Sequence, residues 1–213
     1  NYFPKLEEFA TKIYEKVKMN NRTRYLSLCN YLKEKHKIIV KDVLPLENKP
    51  FSKIFFPEKK EFHLSDLLNL ETKKLYTAAL VAQLEADEII EEYLNEFSFP
   101  SKASKKVSKV ALLNYTGAAI IMPYEIFFNE CVKKHRYDLE LLQATFAVSF
   151  EQVCHRVTCL NNPNPKLRGI PLHMIRVDRS GNVSKRFSLS GIELPRLSGA
   201  CPKWNVYSAF SNP

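Results

Sequence analysis

Histidine and cysteine are the side chains of this chain best suited to hold a metal, and their spacing argues against a metal site. The chain has five of each. His36, His63, His135, His155 and His173 never stand one helical turn apart, and no H-E-x-x-H occurs, so no single helix can offer two imidazoles to one zinc ion. The tightest cluster is Cys154, His155 and Cys159, which Cys201 would join only through folding. Three thiols and an imidazole suit zinc or an iron–sulfur cluster. However, there is no C-x-x-C, and the interval between Cys154 and Cys159 is awkward for one helical face. Small buried hydrophobes are the commoner role for such cysteines. An odd, scattered set also fits free thiols in a reducing, cytoplasmic setting. No metal, cofactor or catalytic group is expected.

Charge is the second source of chemistry. The net charge is +9 and unevenly placed: residues 1–100 carry 16 basic and 16 acidic side chains, and residues 101–213 carry 16 and 7. A basic half beside a neutral one suits a polyanion, either DNA or a phosphate-bearing ligand, although basic patches without a specific partner are also common. The densest basic cluster is Arg176, Arg179, Lys185 and Arg186. These can clamp the phosphates of a CoA-like ligand or serve as solvated turn charges. Trp204 is the only tryptophan and reads as a core anchor or a stacking platform. Gln152, His155 and Arg156 can meet a DNA groove, or can be an ordinary helix-surface set. The acidic run Asp87, Glu88, Glu91 and Glu92 reads as a solvated face.

The elements that must position these residues follow from periodicity. Leu6, Phe9, Ile13 and Val17 recur at helical steps, and a second helix after Thr23 turns Tyr25, Leu28, Cys29 and Leu32 inward. Lys37–Val40 reads as a strand, and 51–56 with 61–64 as a hairpin. One helix is expected over 71–97, with an apolar face from Leu75 to Leu94 and small Ala78, Ala79, Ala82 and Ala86 allowing close approach of a neighbour. The central helix carries Val110, Asn114, Ala118 and Met122 on several buried sides, ends at Pro123, and leads into a helix to about Lys134. Leu139–Ala147 and Phe150–Leu160, joined by Val148-Ser149, make a helix-turn-helix-like pair, or else an α-α corner that closes the domain. Residues 161–169 read as a linker, and Leu172–Val177 with Val183–Leu189 as a β-hairpin. No apolar run is long enough to span a membrane, and the N-terminus lacks a signal-peptide pattern. The opening at Asn1 and the stop at Pro213 read as those of a fragment.

The run Leu113-Asn114-Tyr115-Thr116-Gly117-Ala118-Ala119-Ile120-Ile121-Met122-Pro123 resembles a helix of ImmA/IrrE-type proteins, a zinc metallopeptidase-like family. Further blocks resemble the short-chain fatty acyl transcriptional regulators: Arg136-Tyr137-Asp138, Val148–Arg156, Arg176–Arg186 and Cys201–Tyr207. They cover most of residues 70–213, and the first 70 fit more loosely. The resemblance implies an α+β, predominantly helical, zincin-like domain with a small β-sheet over 1–160, including the helix pair at 138–160, and a strand-rich C-terminal region over 161–213. It also implies a bacterial, homo-oligomeric regulator of acetate and propionate metabolism that binds an acyl-CoA-type effector and reaches DNA through an XRE-type N-terminal module. The peptidase motif would fall in Leu75–Leu84, where Ala79, Leu80 and Gln83 stand in place of His, Glu and His. None can supply a metal ligand or a base there, so a pseudoenzyme is expected. The alternatives are direct DNA binding by the internal helix pair and a zinc hydrolase with a non-standard site.

Overall fold

The computed structural model describes residues 2–18, 23–46, 50–188, 208 and 210. Two compact units divide the chain, one of residues 3–150 and one of residues 151–213 with the first two.

In the first unit, α1 (Pro4–Val17) and α2 (Arg24–His36) precede a three-stranded sheet. Both helices end on a residue in the left-handed region, Lys18 and Lys37, whose N–H groups satisfy late carbonyls. Strands β1 (Ile39–Val43), β2 (Lys53–Phe56) and β3 (Glu61–Ser65) lie in the order β1-β3-β2. The expected hairpin pairs β2 with β3 antiparallel, while β1 runs parallel to β3. The strand expected over 37–40 lies two residues later, because Lys37 is spent as the helix cap.

Helix α3 (Leu70–Glu85) is capped by Asn69, whose side chain accepts from the Thr72 N–H at 3.0 Å. The single helix expected over 71–97 is broken. Ala86 leaves the helical region, and α4 (Asp87–Asn95) begins with Asp87 and Glu88 favourably placed at its N-terminus. The break sends Ile90 and Leu94 into a cluster with Leu6, Ala86 and Leu112, flanked by Phe3, Tyr93 and Tyr115. The acidic face of α4 is paired rather than merely solvated: Lys109 meets Asp87 at 2.7 Å and Glu91 at 2.8 Å, and Lys105 meets Glu91 at 3.0 Å.

The central helix α5 (Lys102–Ile121) opens on a capping box between Ser101 and Ser104. Pro123 ends it, and the chain turns through 68° into α6 (Tyr124–Phe128) and a π-helical turn, Asn129–Lys134. Then α7 (Leu139–Phe146) follows, its Phe146 ring packed 5.2 Å from that of Phe127. Two buried cations hold its end: Arg24 donates to the Phe146 carbonyl at 2.9 Å and Lys74 to that of Ala147. No single helix among the described residues is long and apolar enough to cross a membrane.

The short helix α8 (Phe150–Val157) leads into the second unit, so the sequence of two short helices expected at 138–160 is present. A 3-10 turn, Pro165–Leu167, lies within the expected linker. Strands β4 (His173–Val177) and β5 (Val183–Ser188) form the expected antiparallel hairpin, with a bulge between Arg176 and Val177. Its turn is organised by Asp178, whose carboxylate accepts from the N–H groups of Ser180 and Asn182 at 2.9 Å, while Gly181 supplies φ 82°.

Candidate functional site

A cavity lies in the first unit, where α3 and α5 cross over the sheet. Small residues set that crossing. A Cβ on Gly117 would lie 2.9 Å from the Ala79 nitrogen and 3.2 Å from the Leu75 carbonyl oxygen, so only glycine lets the two backbones approach this closely. Lys73 fixes the start of α3 against the sheet through Asp42 at 3.2 Å and Asp66 at 3.4 Å. Tyr76, Ala79, Leu80 and Gln83 of α3 fall at steps of three and four and so share one face. Val110, Leu113 and Asn114 of α5 repeat that spacing opposite them. Phe62 of β3 with Lys53 and Phe55 of β2 complete a cavity of about 260 Å³.

Its interior is apolar: Phe62, Ala79 and Leu80 are buried, and the Phe55 and Phe62 rings meet edge-on at 6.4 Å. Two polar groups stand out. Lys53 is exposed as a residue, yet its ammonium lies 4.3 Å from the Tyr76 ring centroid, and burial there pushes its pKa down. It has no carboxylate partner among the described residues. Asn114 lines the cavity, but its Oδ1 atom is sealed from it, buried and without a hydrogen-bond donor. A buried acceptor of this kind is costly unless a partner arrives.

Zinc does not fit here. Alanine and leucine offer no donor, Gln83 offers only a carboxamide, and the remaining polar groups are an ammonium, a phenol and a second carboxamide. Among the described residues no group of three or more His, Cys, Asp or Glu side chains is placed to share a metal ion. Cys154 and Cys159 are half-buried thiols, and Cys159 donates to the His155 carbonyl at 3.3 Å; Cys201 lies outside the described residues.

The sequence-derived ligand residues sit on the hairpin of the second unit. Arg176 and Lys185 face each other across the strands and both bond Glu151, Arg176 at 3.1 Å. Burial alone would raise the Glu151 pKa, but Lys185, Arg176 and His155 hold it below the ordinary carboxylate value. Arg186 follows Lys185 on the strand and so points to the opposite face, while Arg179 is exposed in the turn. The four cations therefore do not converge on one face, and two of them already share an acid. Trp204 lies outside the described residues. Of the DNA-facing set, Arg156 is only 1% exposed, so its guanidinium is withheld from a phosphate in this conformation. His155 packs its ring 4.2 Å from Phe187, and burial followed by the nearby Lys185 lowers its pKa. Gln152 is half-buried.

Helices crossing over a small mixed sheet, with a cleft at the crossing, define the class. It is an IrrE N-terminal-like domain, a family that matches residues 38–158. The chain therefore belongs to that IrrE-like family, and its residues 160–213 match the C-terminal region of short-chain fatty acyl coenzyme A regulators. It is 32% identical over 213 residues to the HTH-type transcriptional regulator RamB of Mycobacterium tuberculosis, covering all of this chain and 44% of RamB. Against the HTH-type transcriptional regulator PrpR of the same organism it is 28% identical, covering all of this chain and 43% of PrpR. The propionyl-CoA carboxylase regulator of Cereibacter sphaeroides is 34% identical over 156 residues, 73% of this chain and 33% of that protein. A solved structure of a Mycobacterium tuberculosis transcriptional regulator superposes with a TM-score of 0.90 at 28% identity, covering all of this chain and 63% of that one. The chain thus spans less than half the length of these curated relatives.

Sequence reasoning reached Ala79, Leu80 and Gln83 but missed Lys53, Tyr76 and Asn114. A signal was present, since 76, 79, 80 and 83 on one helix match 110, 113 and 114 on the next. Lys53 gave none, because its place depends on how β2 pairs.

Proposed function

We propose that this chain is the effector-sensing and oligomerising region of a cytoplasmic bacterial transcriptional regulator of short-chain fatty acid metabolism, acetate and propionate included. Its ligand is an acyl-CoA-type molecule. DNA is reached through a helix-turn-helix module outside these residues, as the names of the HTH-type relatives suggest. The observation that carries the reading is the cleft, an apolar cavity in which Ala79, Leu80 and Gln83 offer neither a set of metal ligands nor a base to activate water. A pocket relieved of chemistry is suited to binding, so the domain acts as a receptor and not as an enzyme. Arg176, Arg179, Lys185, Arg186 and Trp204 are proposed to serve the phosphates and base of the ligand.

Titration with acetyl-, propionyl- and butyryl-CoA while following thermal unfolding tests this. A ligand at about a hundredfold its Kd stabilises by about 2.7 kcal/mol, which for a chain of this size raises the Tm by roughly 5–10 °C. No rise with any short-chain acyl-CoA at millimolar concentration refutes the reading.

A further inference from the structure

Among the described residues, burial pushes down the pKa of two lysines, Lys53 and Lys74, and only one of them can be reached. Lys74 is 3% exposed and donates to the Ala147 carbonyl, so its nitrogen is closed to a reagent. Lys53 is exposed on β2, an outer strand of the sheet, and lines the cleft. Its ammonium stands over the Tyr76 ring, 4.3 Å from the centroid. The rest of the lining is hydrocarbon and the side chains of Gln83 and Asn114, with no carboxylate to hold the proton on the nitrogen. Lys5 beside Glu92, and Lys109 beside Asp87 and Glu91, show the opposite arrangement, and their pKa values are raised. A neutral amine is the nucleophile, and each unit by which a lysine pKa falls raises the share of free amine about tenfold near neutral pH.

Resting on the effector reading above for the class of donor, we propose that Lys53 Nζ is a modification site, acylated by short-chain acyl thioesters. The free amine attacks the thioester carbonyl carbon. The N–C bond forms, the C–S bond breaks, and the thiolate leaves and takes up the proton that the nitrogen loses. The products are an amide on Lys53 and a free thiol, and nothing is oxidised or reduced. The step removes the one charge that lines the cleft and ends the attraction between ammonium and ring. A short alkyl chain on an uncharged amide takes its place at the apolar lining. An amide outlasts its donor, so the mark records exposure to acyl thioesters after the free molecule has gone.

The probes are propionyl-CoA and propionyl-N-acetylcysteamine, a thioester without phosphates, each incubated with the 213-residue chain. Hydroxylamine then removes any acyl group carried on cysteine, and peptide mass spectrometry follows the propionyl group at each lysine. Lys53 is expected to react several-fold faster than Lys60 and Lys106, which are exposed. Its rate should level off at a lower pH than theirs, and Lys74 should stay unmodified while the chain is folded. In guanidinium chloride the four should react alike. Lys53→Arg, which keeps the charge on an exposed strand position, should lose the fast phase and keep the slow one. A rate at Lys53 no greater than at Lys60, or a fast phase that survives in Lys53→Arg, overturns the assignment. If calorimetry shows propionyl-CoA binding while Lys53 gains no propionyl group, the modification falls and the effector reading survives. If propionyl-CoA neither binds nor reacts, both fall.

Discussion

Gly117 and Lys74 show how single side chains set this unit, and each yields a measurable consequence. Replacing a helical glycine with alanine ordinarily gains about 1 kcal/mol of helix propensity. At Gly117 the added methyl would press on the backbone of Ala79 at 2.9 Å, and backbone cannot swing aside as a side chain can. Overpacking of this kind costs roughly 1–3 kcal/mol, so Gly117→Ala is expected to lower the urea midpoint in equilibrium unfolding. Lys74 is buried, and desolvation first, then repulsion from Arg24, brings its pKa down to about 8 from 10.5. Below pH 8 the ammonium is charged in both folded and unfolded chains, and the folded state bears the burial cost. Between pH 8 and 10.5 the folded chain gives up this proton first, so Lys74 makes the protein more stable as pH rises through that window. The difference in urea midpoint between wild type and Lys74→Met should therefore move in favour of the wild type from pH 7.5 to about 10. A constant difference would show that Lys74 keeps an ordinary pKa. None of this was legible in the sequence, where Lys74 looks like any helix-surface lysine and Gly117 like a flaw in a long helix.

At the scale of elements, the sequence announced helices and strands wherever periodicity ran unbroken and was silent where backbone geometry changed without proline or glycine. The break at Ala86 lies inside Leu84-Glu85-Ala86-Asp87-Glu88, a strong helical run, and only the burial of Ile90 and Leu94 in the core requires it. The π-helical turn over Asn129–Lys134 ends with the His135 N–H reaching back to the Glu130 carbonyl at 2.8 Å, and Arg136 and Tyr137 both adopt positive φ. A pattern tuned to 3.6 residues per turn cannot register that. Arg136-Tyr137-Asp138 was noticed only through its resemblance to the family, and here it is the turn that reverses the chain and sets Asp138 to cap α7. Parallel pairing of β1 with β3 was likewise out of reach, since alternation along a strand does not name its neighbour. Caps were read unevenly: Thr23, expected to cap α2, makes no side-chain cap bond, whereas Asn69 caps α3 without having been singled out. Asn69 holds the free N-terminal end of α3, the helix that carries Tyr76, Ala79, Leu80 and Gln83. Asn69→Ala should cost about 1 kcal/mol and lower the Tm by about 2–4 °C in calorimetry. Asn69→Asp should hold the Tm, because a carboxylate accepts the same N–H and suits the positive end of the helix dipole.

For the molecule as a whole, charge is unevenly placed. The cleft in the first unit is lined mostly by hydrocarbon, with one ammonium, one phenol and two carboxamides, whereas the basic surplus of the chain falls within residues 101–213. On the α4–α5 face some of that surplus is already spent, since Lys105 and Lys109 neutralise Asp87 and Glu91. On the hairpin, Glu151 engages Arg176 and Lys185 and leaves the exposed Arg179 available in the turn. Charge density in the sequence points to these cations; that two of them share an acid and a third faces the other way depends on strand register, which composition does not contain. An acyl-CoA carries several negative phosphate charges, while propionyl-N-acetylcysteamine carries none. Attraction between exposed charges fades beyond a Debye length, about 10 Å at 0.1 M salt and about 3 Å at 1 M. Affinity for propionyl-CoA is therefore expected to fall several-fold as ionic strength rises from about 0.05 M to about 0.5 M, while affinity for the neutral thioester changes little. Arg179→Glu should weaken the first and spare the second. Calorimetric titrations of both ligands at the two salt concentrations check this, and equal salt dependence would mean that the basic half of the chain takes no part in binding the effector.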